Sequence, residues 1–147
     1  MQKLYFSDWI INIDVQKTAA YYNSISEEAG CKCSYCRNYI KACEYFPDDV
    51  LNFFSSLGID PKKEGEFMEY EAASNMHLYQ GFYHIVGSII TGQSRVIERW
   101  ATLSLIKIGN FEFAFNDNLD LVSENFPKPV IQLEFEVTLP WLLNERE

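Results

Sequence analysis

The sequence predicts an α+β domain: an antiparallel sheet of about five or six strands with two or three helices, mostly N-terminal, packed on one face. Three observations lead there. Apolar residues recur at helical spacing between Val15 and Leu57. Beyond Pro61 they alternate with polar residues, as in half-buried strands. Gly92 and the pair Gly109-Asn110 then supply tight turns that make neighbouring strands antiparallel.

The segment 5–13 places Trp9, Ile11 and Ile13 on one face and Asp8 and Asn12 on the other, the period of a first strand. A helical pattern follows over 15–28, through Ala19, Ala20 and Tyr22 to Ile25, until Gly30 breaks it. Ser34 is the expected N-cap of a second helix running through Arg37, Ile40, Ala42 and Phe46. Pro47 ends that helix because it lacks an amide proton. The same proline opens a third helix at its first position, with Asp48 and Asp49 complementing the dipole. Val50, Phe53, Phe54 and Leu57 form its buried stripe and Gly58 stops it. The remaining chain predicts strands over 66–70, 78–90, 99–108, 111–115 and 130–139.

At 147 residues, with no Pro/Gly/Ser-rich linker, the chain fits one domain, and 48% apolar and 16% aromatic residues suffice for a packed interior. Twenty-one acids against 12 bases give a net charge of -9, a field that repels nucleic acid and anionic membrane surfaces. Neither Lys62-Lys63 nor the cluster from Arg95 to Arg99 overrides it, since both are short and flanked by acids. No apolar run approaches the roughly 20 residues needed to cross a bilayer. The N-terminus lacks the apolar core and cleavage site of an export signal, so a cytoplasmic location is expected. The four cysteines should then be reduced, and so be metal-binding, redox-active or buried.

Three of the four lie in the run Cys31-Lys32-Cys33-Ser34-Tyr35-Cys36. Cys33 and Cys36 have the spacing of a zinc ligand pair, and a tetrahedral ion brings its sulfurs to about 3.8 Å from one another. Cys31 together with His77 or His84, or a ligand from water, would complete such a site. Cys43 is seven residues beyond Cys36, roughly 10 Å along a helix, and reads as a small buried hydrophobe. The same pair permits thiol redox chemistry, with Cys33 as nucleophile and Cys36 as resolving thiol. Helix-start amides, Lys32 and Arg37 would stabilise the thiolate. The polar approach to the motif is unlike the buried parallel strand of a thioredoxin.

His84 shares a strand face with Phe82 and Val86, either as a hydrogen-bonded sheet residue or as a ligand or base directed at the cysteines. Arg37 and Asn38 can clamp an anion or tie the helix start to a strand. Glu64, Glu66, Glu69 and Glu71 read as a solvated strand edge. Nucleotide-binding and hydrolase motifs are absent from the sequence, and two histidines leave little room for a triad. These readings give a small binding or interaction protein centred on the cysteine-rich helix start. Its cofactor is none or zinc, and its partner is a protein or small-molecule ligand. Strands over 5–13 or 130–139 offer edges for a homodimer.

Four motifs occur in order: Cys31-x-Cys33-x-x-Cys36-Arg37-Asn38; Phe53-Phe54-x-x-Leu57-Gly58-Ile59-Asp60-Pro61-Lys62; Tyr79-x-Gly81-Phe82-Tyr83-His84-Ile85-Val86-Gly87; and Leu139-Pro140-Trp141-Leu142-Leu143. As a set, from about Gly30 onward, they resemble an uncharacterised bacterial, Firmicutes-type protein family. Its members carry a Cys-x-x-Cys-Arg-Asn box, a Leu-Gly-Ile-Asp-Pro turn and a Gly-aromatic-aromatic-His-x-Val-Gly strand. The resemblance implies a bacterial origin and singles out Cys33, Cys36, Arg37, Asn38, Tyr79 and His84, without implying a reaction.

Overall fold

The computed structural model describes residues 1–6, 8–26, 31–63, 66–73, 75–92 and 105–144. These form helices α1 (Val15–Ser24), α2 (Ser34–Cys43) and α3 (Asp48–Leu57). Their strands are β1 (Gln2–Phe6), β2 (Trp9–Ile13), β3 (Glu66–Ala73), β4 (Met76–Thr91), β5 (Ile106–Ile108), β6 (Phe111–Asn116) and β7 (Val130–Pro140). The strands build a 7-stranded sheet in the order β1-β2-β4-β7-β6-β5, with β3 also beside β4 and every pairing antiparallel. The α+β class is as expected, with slightly more strands.

The additional strand comes from 5–13. Phe6 pairs with Trp9 and Gln2 with Ile13, so the segment spans the reversal of a hairpin, from the end of β1 through β2, and is not one strand. Alternation correctly marks Trp9, Ile11 and Ile13 as buried, but it carries no sign of the reversal. Helix α1 starts from Asp14, whose carboxylate accepts from the Lys17 amide at 2.9 Å, and ends at Ser24. Helix α2 is capped by Cys33 and not by Ser34, and Pro47 is the cap of α3, one residue before the position expected. Gly58 ends α3 at φ 81, where a Cβ would meet the Val15 carbonyl oxygen at 2.5 Å, so conformation and packing both require glycine. Gly30, Glu64 and the segment 93–104, with Arg95 to Arg99 and most of the strand expected over 99–108, lie outside the described residues.

The 16-residue β4 is the spine of the sheet. One edge pairs with β7 from Met76 to Val86. The other pairs with β3 up to Phe82 and with β2 from Gly87 onward. On that second edge, between those two partners, no strand among the described residues pairs with His84 or Val86, and α1 fills the gap. The Tyr22 hydroxyl accepts from the His84 amide at 3.0 Å and donates to the His84 carbonyl at 2.8 Å. Thr18 Oγ1 accepts from the Val86 amide at 3.0 Å, and the Asp14 amide donates to the Val86 carbonyl at 2.8 Å. Buried backbone groups need such partners, so α1 completes the sheet edge.

The two sheet faces differ in chemistry. Tyr79, Tyr83 and Ile85 of β4, Leu133 and Phe135 of β7, and Phe111 and Phe113 of β6 are buried on the face beneath α2 and α3. Tyr39 of α2 packs on Tyr79 and Phe135 with ring centroids 5.4 and 5.6 Å away, and Phe54 of α3 on Tyr83 at 5.1 Å. The opposite face buries His84, Gln132, Glu134 and Asn116. Phe126 and Asp120, from the connection between β6 and β7, pack and hydrogen-bond over it.

Replacing Tyr22 with Phe keeps the ring and removes both partners of His84's backbone. Each orphaned buried group costs about 1–3 kcal/mol, so Tyr22→Phe should lower unfolding free energy in urea by about 2 kcal/mol or more. A loss below about 0.5 kcal/mol would show that α1 does not complete this edge.

Candidate metal centre

Cys36 lies in the first turn of α2 and is buried, while Cys31 and Cys33 precede the helix and are exposed. The three sulfurs lie within 4.8 Å of one another, and among the described residues they are the group able to hold a metal ion. Local bonds shape the loop. The Cys33 amide donates to the Cys31 sulfur at 3.4 Å, the Arg37 amide to the Cys33 carbonyl at 3.0 Å, and Arg37 Nε to the Lys32 carbonyl at 3.0 Å. Arg37 thus folds the loop back against the helix that follows it.

A buried clamp anchors this helix start. The Asn38 side chain is fully buried; its Nδ2 donates to the Tyr79 hydroxyl and to the Pro140 carbonyl, both at 3.1 Å, and its Oδ1 accepts from the Leu142 amide at 2.7 Å. The Tyr79 hydroxyl donates onward to the Tyr35 carbonyl at 3.1 Å. Tyr35, between Cys33 and Cys36 in sequence, lays its ring edge-on to Trp141 at 5.7 Å. The start of α2, and Cys36 with it, is therefore fixed to β4 and to the end of β7 through Asn38, Tyr79 and Tyr35.

The thiols differ electrostatically. Burial pushes the Cys33 thiol up, but the Cys36 amide, the Cys31 and Cys36 side chains and the Tyr35 amide together hold it below the ordinary thiol range. The Cys33 sulfur closes no cap hydrogen bond of standard geometry, so the helix-start amides act on it as oriented dipoles. Cys36 moves the other way. Burial raises it most, and the neighbouring sulfurs of Cys33 and Cys31 add to the rise through hydrogen bonding and negative charge. A bound cation cancels that mutual repulsion and deprotonates its ligands. Tyr79 is pushed up to about 12, chiefly by burial, which keeps its hydroxyl protonated as the clamp requires.

Asn38 and Tyr79, expected as binding residues, are buried and hold their polar atoms in the clamp. Arg37 is exposed beside the loop. Cys43 is in the core, as its spacing suggested. His84 requires a correction. It stands five positions from Tyr79 on β4, which puts the two side chains on opposite faces of the sheet, and its Nε2 meets Gln132 Oε1 at 3.1 Å, outside the sulfur group. His77 shares the Tyr79 face but is bonded through Nδ1 to Glu69 and lies against Trp141 at 5.0 Å, outside the sulfur group. Glu69 is thus the partner of a buried histidine and not part of a solvated edge.

A polar network on the other sheet face is invisible to residue-type reasoning. Gln132 Nε2 donates to Asp120 Oδ2 at 3.2 Å and to Glu134 Oε2 at 3.1 Å, and Asn116 Nδ2 donates to Glu134 Oε2 at 2.8 Å. Gln132, Glu134 and Glu136 alternate with apolar residues along β7 and so read as solvent-facing. Only the connection packed over them reveals Gln132 and Glu134 as interior.

Burial lowers the His84 pKa from 6.5, and its bonds to Gln132 and the Asp120 backbone offset only part of that. A depressed histidine contributes stability that is present above the unfolded value and lost as pH falls through the folded one. Wild-type stability should therefore fall more steeply below about pH 6.5 than that of His84→Gln, measured by urea unfolding across a pH series. Parallel curves would contradict a neutral, buried His84.

No protein-family model, no curated protein and no solved structure matches the chain.

Proposed function

We propose that the chain is a small metal-binding protein that holds zinc through the thiolates of Cys31, Cys33 and Cys36. The observation carrying this reading is the convergence of three sulfurs within 4.8 Å. Zinc–sulfur bonds of about 2.3 Å in a tetrahedral site put sulfurs about 3.8 Å apart, so closing on the ion asks for movements of about 1 Å. Two exposed thiols on a short loop supply that freedom, and the clamp keeps the third in place. Soft thiolates select zinc or a similarly thiophilic ion over magnesium or calcium. The described residues contain no helix long and apolar enough to cross a membrane. A reducing compartment such as the cytoplasm keeps these thiols available.

A second reading draws on the opposite displacements of the Cys33 and Cys36 pKa values. The Cys33 thiolate attacks one sulfur of a substrate disulfide, forming a mixed disulfide and releasing a thiolate. Cys36 then loses its proton and displaces the second thiolate, closing a Cys33–Cys36 disulfide. The protein dithiol gives up two electrons and the substrate disulfide accepts them.

Protein purified under reducing conditions without a histidine tag should carry about one equivalent of zinc, and a chelator should lower its melting temperature by several degrees. Cys33→Ser removes an exposed ligand without opening a core cavity and should lose the metal while remaining folded. Metal-free protein whose thiols cycle reversibly through a disulfide would replace this reading with the redox one.

A further inference from the structure

Resting on the zinc reading, we infer that the ion's fourth ligand is an exogenous thiolate, which makes the centre a thiol-exchange site for metal. A tetrahedral ion takes four donors, and the described residues bring three together. Their arrangement has a back and a front. Cys36 is buried against the helix start, whereas Cys31 and Cys33 are exposed, so the ion has protein behind it and solvent before it. The other soft or imidazole donors among the described residues are placed elsewhere. His77 is bonded to Glu69, His84 is bonded to Gln132 on the opposite sheet face, and Cys43 is in the core.

The donor set also selects what enters from outside. Three thiolates already outweigh the charge of a divalent ion, so the bound metal acidifies a water ligand poorly and favours another soft donor. Lys32 of the loop and Arg37 of the first turns of α2, whose Nε is bonded to the Lys32 carbonyl, are both exposed and supply positive charge against the additional anion. The exchange involves no change of oxidation state. An incoming thiol releases its proton to solvent, and its sulfur bonds to zinc in place of a water molecule. Handing the ion on would need each of the protein's three thiolates in turn to be displaced by a further incoming thiolate and reprotonated from solvent. The thiol can belong to a small molecule or to a cysteine of a second copy.

Cobalt-substituted full-length protein separates these cases, because the intensity of thiolate-to-cobalt charge transfer follows the number of sulfur ligands. The cobalt protein alone at low concentration should show three-sulfur intensity. Adding 2-mercaptoethanol should raise it by about one third, as three thiolates become four. The same rise on concentrating the protein without added thiol, with a doubled mass, would identify a second copy as the source and equally support the inference. A three-sulfur spectrum indifferent to thiol and to protein concentration would overturn the inference and leave the metal reading intact. Failure to bind cobalt would overturn both.

Discussion

The buried side-chain amide of Asn38 is the interaction on which the arrangement of the cysteines depends. Its contacts join residues 41, 102 and 104 positions away in sequence, tying α2 to β4 and to the end of β7. An amide so deeply buried is costly unless its atoms are paired, and here both nitrogen and oxygen have partners, so one orientation of the helix start is favoured over neighbouring ones. With that orientation fixed, the first turn of α2 points Cys36 inward and leaves Cys31 and Cys33 on the loop in front. The clamp therefore holds in place the helix start beside which the three thiols that could hold a metal ion converge.

The sheet makes this possible by dividing its labour along β4. The end of β4 nearest Met76 carries Tyr79 into the clamp, while the middle depends on α1 to satisfy its backbone where β3 has ended and β2 has not begun. Aromatic packing beneath α2 and α3 gives the helices a rigid floor, and the polar interior of the far face depends on the segment between β6 and β7.

Much of this was legible in the sequence where the information is local. The buried stripe of α3, its acidic first turn and Gly58 are all in one short segment, and alternation identifies β6 and β7 and the buried side of β2. The three thiols were visible because they are neighbours in sequence. What escaped is non-local. The hairpin reversal between Phe6 and Trp9 preserves the alternation on both sides, so one strand and two look alike. Parity along β4 separates His84 from Tyr79, yet only the tertiary structure says which face α2 covers. The triple use of Asn38 requires Pro140 and Leu142 to arrive beside it, and nothing in a Cys-x-x-Cys-Arg-Asn box announces that. The proximity of Leu-Pro-Trp to this box in space now explains why Asn38 follows the cysteines.

The claim that a buried clamp makes the thiols a metal site is tested most directly by zinc affinity, measured by competition with a chromophoric chelator. Wild type would be compared with Asn38→Ala and with the milder Tyr79→Phe, each first shown to be folded by circular dichroism. Neither variant touches a sulfur. Loss of an outer-shell partner of a metal site weakens binding roughly 10- to 100-fold, and a drop of that size in Asn38→Ala, with a smaller one in Tyr79→Phe, is the predicted result. Folded variants that bind zinc as tightly as the wild type would contradict the account.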